Sequence, residues 1–241
     1  MKKVLVISTS LRPGSNSEAL ADEFVRGAQE AGNEVEKVTL RGKDIRFCKG
    51  CLVCQKTQEC VIKDDDAPAI VRKMYEADAI CFATPIYYYE MSGQMKTLLD
   101  RANPLYTMDY HFRDIYFLSS AAEDDVEAPS RAITGLGGWI ACFEHAHLAG
   151  TVFAGGVTGM GEIEGHPSLK SAYLLGKSVS PSRHITSFLR FSLPVSRRRV
   201  RNRSAYRTGR RLRYGVRDVL WKERFRRVGN MSSPSLSCRL A

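Results

Sequence analysis

Residues 3–17 read Lys-Val-Leu-Val-Ile-Ser-Thr-Ser-Leu-Arg-Pro-Gly-Ser-Asn-Ser, and this stretch decides the fold class. Lys3–Ser8 is a short apolar run, the usual sign of a buried strand. Thr9–Ser17 is a polar loop holding Pro13, Gly14 and three serines. Beyond it Leu20, Phe24 and Ala28 recur every fourth residue, between Ser17 as a cap and Gly32 as a stop. A buried strand, a polar loop and an amphipathic helix open a strand–helix–strand unit.

The alternation continues along the chain. Val35–Leu40 reads as a second, more polar strand, and Ala67, Ile70, Val71 and Met74 mark a helix with Asp64–Asp66 at its positive end. Ala79–Ala83 is a strand, Gly93–Ala102 a helix, Ile115–Ser119 a strand and Ile133–Ala146 a glycine-interrupted helix. Leu148–Gly155 and Ser168–Ser178 supply the last strand and helix. Repeated strand–helix units predict an α/β, doubly wound five-stranded parallel sheet in the order 2-1-3-4-5. Ligands bind such sheets beyond the carboxyl ends of the strands, which directs attention to the loops after Ser8, Ala83 and Ser119.

The chain has 241 residues and a formal charge of +10, unevenly placed. Residues 181–241 hold 16 Arg and one Lys against Asp218 and Glu223, whereas residues 1–180 hold 19 basic against 24 acidic side chains. A mildly acidic body of residues 1–180 therefore precedes an Arg-rich tail, 181–241, that is not expected to be globular. No run approaches 18 apolar residues, and MKKVLVIST lacks a signal-peptide cleavage site, so the expectation is a cytoplasmic protein without a membrane span. Seven cysteines in 241 residues are too few and too clustered for a secreted disulfide scaffold.

The first loop places Ser10, Arg12, Ser15, Asn16 and Ser17 at a helix amino end, where free N–H groups and the dipole attract anions. It carries neither GxGxxG nor GxxxxGK[ST]. It suits one phosphate, or else is a polar connection that only caps a helix. The second loop carries Pro85-Ile86 and then Tyr87, Tyr88 and Tyr89. Three adjacent tyrosines need a partner, either a flat aromatic ligand or a covering core or dimer surface.

Together these loops resemble the flavodoxin-like NADPH-dependent FMN reductase family. Its pattern GSxRxxSN[ST] is met by Thr9 to Ser17, with Thr9 where glycine is usual. Its pattern TPxY…SGxxKxxxDR is met by Thr84-Pro85-Ile86-Tyr87 and by Ser92 to Arg101. The resemblance covers about residues 1–180 and implies a flavodoxin-like domain binding FMN. It puts the phosphate on Ser10, Arg12, Ser15, Asn16 and Ser17. It puts the ring against Pro85, Ile86, Tyr87 and Tyr88, with Ser119, Ser120 and Glu123 approaching its other side. It also implies NAD(P)H as donor and a homo-oligomer, dimer or tetramer.

A second cofactor is suggested by Cys48, Cys51, Cys54 and Cys60, spaced C-x2-C-x2-C-x5-C within an insertion at about residues 46–63. Soft thiolates at this spacing suit an iron–sulfur cluster better than zinc, whose ribbons separate two pairs widely; reduced thiols or a redox disulfide are the alternative. The segment resembles that of the iron–sulfur flavoproteins, a subgroup of the same family, and that resemblance implies a [4Fe-4S] cluster on the four cysteines. Cys81 and Cys142 read as core residues, and Cys238 fits no set.

No HExxH, nucleophile elbow or carboxylate pair occurs, which leaves hydrolysis without support. Three functions follow. The first is an iron–sulfur flavoprotein passing electrons between NAD(P)H or ferredoxin and an acceptor, and the second a cluster-free NAD(P)H-dependent FMN, quinone or nitro reductase. The third is a flavin sensor binding nucleic acid through the tail, which is otherwise a disordered extension or the product of a shifted frame.

Overall fold

A computed structural model of the chain describes residues 1–180. The Arg-rich tail, with Cys238 and the nucleic-acid reading attached to it, lies outside the described residues.

Six strands occur: β1 (Lys3–Ser8), β2 (Glu34–Thr39), β3 (Ala79–Tyr87), β4 (Glu90–Met91), β5 (Asp114–Ser120) and β6 (His147–Ala154). Five of them pair in parallel in the order β2-β1-β3-β5-β6, and β4 folds back antiparallel on the end of β3. With β4 set aside this is the expected 2-1-3-4-5 order. The helices are α1 (Asn16–Glu30), α2 (Cys54–Thr57), α3 (Ala67–Glu76), α4 (Gly93–Arg101), α5 (Ser130–Ile140) and α6 (Pro167–Lys177), with a 3-10 turn at Asn103–Thr107.

The period of two along each strand sorts side chains onto two faces. Leu5, Ile7, Ile80, Phe82, Ile115 and Phe117 meet Met74 of α3, Met95 and Leu98 of α4 and Leu136 of α5. Val4, Val6, Cys81, Ala83, Tyr116 and Leu118 meet Leu20, Phe24 and Ala28 of α1 and Ala172 of α6. Both faces of the central strands are covered, which is why those strands read as unbroken apolar runs. Polar β2 is one edge of the sheet, and Glu34, Glu36 and Lys37 along it discourage pairing with another chain.

On the second face α1 and α6 pack along much of their length. Gly27 and Gly176 make this possible: a Cβ on Gly27 would stand 2.0 Å from the Tyr173 carbonyl oxygen, and one on Gly176 2.1 Å from that of Phe24.

Some boundaries differ from the sequence expectation. Ser15, not Ser17, caps α1, accepting from the Glu18 N–H at 3.2 Å. β3 runs on past Ala83 to Tyr87 because β4 pairs with its end. The fifth helix is Ser130–Ile140 rather than Ile133–Ala146, and hydrogen-bonded turns continue to Ala146. His166 is not a plain loop residue: its Nδ1 accepts from Ser168 N–H and caps α6. Cys81 is buried as expected, but Cys142 lies beyond the end of α5 and is exposed.

Candidate functional site: the carboxyl ends of β1, β3 and β5

β1 delivers the Thr9–Ser15 loop onto the amino end of α1. Ser10, Ser15, Asn16 and Ser17 are all buried, whereas Arg12 is exposed. The Ser15 Oγ accepts from Glu18 N–H at 3.2 Å and stands 3.4 Å from the Ser17 Oγ, a contact in which either hydroxyl can donate. Gly14 has φ +58, a left-handed conformation that glycine adopts without a Cβ clash. Glu18, in the first turn, is neutralised by Arg41 at 3.0 Å and Lys37 at 3.8 Å, which removes an anion's nearest repulsion.

A further loop, residues 155–166, folds over the first. Asn16 spans the two, its Nδ2 donating to Gly159 O at 2.9 Å and its Oδ1 accepting from Ile163 N–H at 3.4 Å. Arg12 Nη1 donates to Thr158 O at 2.7 Å. Glu162 braces this loop by accepting from Thr158 N–H at 2.6 Å. Those backbone donors to Glu162 hold its carboxyl below the ordinary value.

Thr9, where the resemblance leads one to expect glycine, ties three elements together. Its hydroxyl bonds the Ala83 carbonyl at 3.1 Å and the Ser92 hydroxyl at 3.0 Å, and Ser92 in turn caps α4. The Ser92 N–H donates to Thr84 Oγ1. The first and second loops thus share one buried hydroxyl network.

The second loop is the β3–β4 turn. Tyr88 (φ 51) and Tyr89 (φ 66) both occupy left-handed backbone, unusual for aromatic residues. Tyr88 is 83% exposed, and Arg131 lies over the Tyr89 ring at 5.7 Å. Pro85, Ile86 and Tyr87 precede the turn on β3, Pro85 paired with Ser120 across the sheet. At the end of β5, Ser119 and Ser120 are buried, and Glu123 is exposed in the following loop, its carboxylate accepting from Asp124 N–H. The hydroxyls of Ser8 and Ser119, at the carboxyl ends of β1 and β5, are buried without a hydrogen-bond partner among the described residues. Orphaned donors at the mouth of the sheet are what a polar ligand there would satisfy.

The cysteine segment stands on the α3–α4–α5 side. Cys48 and Cys51 are exposed, Cys60 is half-buried and Cys54 is buried, its sulfur accepting from Asn103 Nδ2 at 3.1 Å. All four are free thiols. Among the described residues no three His, Cys, Asp or Glu side chains come together as a metal site. Cys48 borders a cavity of about 400 Å³ with Tyr106, Trp139 and Cys142, while Cys60 borders another of about 520 Å³ with Lys63, Tyr75 and Met108. The donor type therefore suits iron and sulfide, and the thiols are not gathered in this arrangement. Gly50, Leu52 and Gln58 all have positive φ, so the segment is built of tight turns.

The family model described as NADPH-dependent FMN reductase matches residues 2–135, more than half of the chain. The chain belongs to that family. An iron–sulfur flavoprotein of Methanocaldococcus jannaschii is 40% identical over 103 residues, 43% of this chain and 53% of the relative. A Bacillus subtilis protein named as an NAD(P)H-dependent FMN-containing oxidoreductase is 30% identical over 185 residues, covering 73% of this chain and 97% of that one. The NAD(P)H:quinone oxidoreductase of Methanothermobacter marburgensis superposes with a TM-score of 0.57 at 16% identity, over 74% of this chain and 99% of that chain, and shows the fold. The chain spans about half the length of the curated iron–sulfur flavoproteins it matches.

Within this member of the family, Ser10, Ser15, Asn16 and Ser17 meet at one helix end, and the tyrosine turn and Ser119–Ser120 open on the same end of the sheet. Residues 155–166 are the wall that sequence reasoning missed. Their only signal is Thr158-Gly159-Met160-Gly161 after an apolar strand, ordinary loop composition with no chemistry-bearing motif.

Proposed function

We propose that this protein is an FMN-dependent oxidoreductase that passes electrons from NAD(P)H or ferredoxin to an acceptor, with Cys48, Cys51, Cys54 and Cys60 holding a [4Fe-4S] cluster. The observation that carries the flavin part is the set of buried polar residues Ser10, Ser15, Asn16 and Ser17 at the amino end of α1, next to two orphaned hydroxyls and an aromatic turn. Names of the curated relatives carry the cluster part. When bound, the flavin exchanges two electrons with a nicotinamide or one with a cluster, and the cluster moves single electrons.

The chain's own residues divide the work. Ser10, Ser15 and Ser17 donate hydroxyl hydrogens to a phosphate at the α1 end, with the helix dipole adding to the attraction. Arg12 adds charge at the rim, and Asn16 holds the 155–166 loop in place. Pro85, Ile86, Tyr87 and Tyr88 pack against one part of the ring and exclude water, and Ser119, Ser120 and Glu123 approach from β5. The exposed Tyr88 is covered in a homo-oligomer, dimer or tetramer. Loading the cysteines requires residues 48–60 to close so that the four sulfurs converge. No helix among the described residues is long and apolar enough to cross a membrane, in keeping with work in the cytoplasm.

A second reading has its own support: the thiols do not converge among the described residues, which favours a cluster-free FMN, quinone or nitro reductase. Anaerobic purification with flavin, iron and sulfide assays on one sample separates the two. Close to four iron and four sulfide per FMN supports the cluster. Flavin without iron after anaerobic reconstitution leaves the simple reductase, and a protein that takes up no flavin overturns both.

A further inference from the structure

Arg101 ends α4 and matches the last position of the SGxxKxxxDR pattern, yet it is 2% exposed, a burial rarely given to arginine without dedicated partners. Its Nη1 donates to Asp65 Oδ2 at 2.5 Å and to the Arg46 carbonyl at 2.8 Å. Its Nη2 donates to Asp65 Oδ1 at 3.0 Å and to the Ile62 carbonyl at 3.0 Å. Asp65 is itself fully buried and also accepts from Arg46 N–H at 3.0 Å and Ala67 N–H at 3.2 Å. Arg46 lies just before Cys48, and Ile62 and Asp65 just after Cys60, so one guanidinium grips both ends of the cysteine excursion.

Four of its five N–H groups are thereby engaged. The fifth, on Nε, is buried and has no acceptor among the described residues. Burial opposes the Arg101 charge, and the Asp65 carboxylate holds it above its ordinary value.

We propose that Arg101 is the positioning residue of the cysteine segment: it closes the neck of the Cys48–Cys60 excursion against α4, holding both ends of the segment on one guanidinium. The iron readout rests on the reading of these cysteines as cluster ligands; the neck does not. Lysine cannot replace arginine here, because it lacks the planar fork that reaches Asp65 and the two backbone carbonyls together.

The test compares wild type, Arg101→Lys and the pair Arg101→Met with Asp65→Leu, all as full chains purified anaerobically with flavin. The paired change removes both buried charges together, which folded proteins tolerate better than losing one partner. Hydrogen exchange of residues 46–63 should accelerate at least about tenfold in both variants, while β1, β3 and β5 keep their protection. Flavin content should be unchanged. In the iron-loaded proteins, Arg101→Lys should hasten iron loss to a chelator about tenfold or more, consistent with the usual cost of losing an outer partner. Unchanged exchange in both variants overturns the neck. An unchanged chelation rate in Arg101→Lys overturns the link from the neck to the cysteines. A wild type without iron refutes the cluster reading, and exchange alone then decides the neck.

Discussion

Replacing Gly27 by alanine tests whether the close approach of α1 and α6 is required by the fold. Helix propensity alone predicts a gain of about 1 kcal/mol, since glycine is a poor residue in a helix interior. Contact geometry predicts the opposite. The new Cβ would lie 2.0 Å from the Tyr173 carbonyl oxygen and 2.8 Å from the Lys177 nitrogen, both backbone atoms of α6 that cannot rotate away. The helices would have to part by more than about 1 Å to restore ordinary contact distances. Overpacking of this kind costs about 1–3 kcal/mol, and against backbone the upper end applies. The net is a loss of about 2 kcal/mol, equivalent to a fall in Tm of about 4–8 °C for a chain of this size. Gly137, within α5, is the control, because a Cβ there meets nothing within 4 Å. Gly137→Ala should raise Tm by about 2 °C through propensity alone. Thermal unfolding followed by circular dichroism reads both variants. A Gly27→Ala protein that melts at or above wild type would refute the packing account.

Other perturbations address the site. Arg12→Ala should weaken FMN retention by roughly tenfold, the worth of one charge-assisted hydrogen bond; a titration of apoprotein by flavin fluorescence that shows no change removes Arg12 from the phosphate site. Glu162, whose carboxyl is held low by backbone donors, steadies the 155–166 loop above its unfolded pKa and loses that contribution as pH falls through its folded value. Proteolysis of that loop should therefore quicken only as pH falls below the ordinary glutamate range, and Glu162→Gln should abolish the pH step. Cys81 is fully buried, and burial drives its thiol well up. Brief alkylation of the folded, iron-free protein, read by peptide mass spectrometry, should label Cys48, Cys51 and Cys142 and leave Cys81 unmodified until the chain is unfolded.

The parallel sheet was legible because its central strands are buried on both faces and so read as continuous apolar runs, Lys3–Ser8 and Ile115–Ser119 among them. The two-residue β4 was not, since it depends on Tyr88 and Tyr89 adopting left-handed backbone that their side chains disfavour. The serine-rich loop was visible at a helix start, but which serine caps the helix depends on where the first turn closes, and Ser15 rather than Ser17 does so. Asp64–Asp66 read as helix-end charges for α3. In the fold Asp65 instead meets Arg101, 36 residues away, and Asp64 pairs with Arg46. An arginine on an amphipathic helix reads as a solvated charge, and only the tertiary fold shows it buried. Cys142 read as core through its apolar neighbours, whereas the helix ends before it and leaves it in the open.

The tyrosine turn sets thermal robustness against recognition. Each left-handed non-glycine residue stores about 1 kcal/mol or more of backbone strain, so Tyr88→Gly or Tyr89→Gly would relax the hairpin while deleting an aromatic surface. A laboratory lineage selected only for heat resistance would drift toward glycine at these two positions and lose the exposed aromatic surface. A lineage held to its chemistry would keep the strained tyrosines and sacrifice melting temperature.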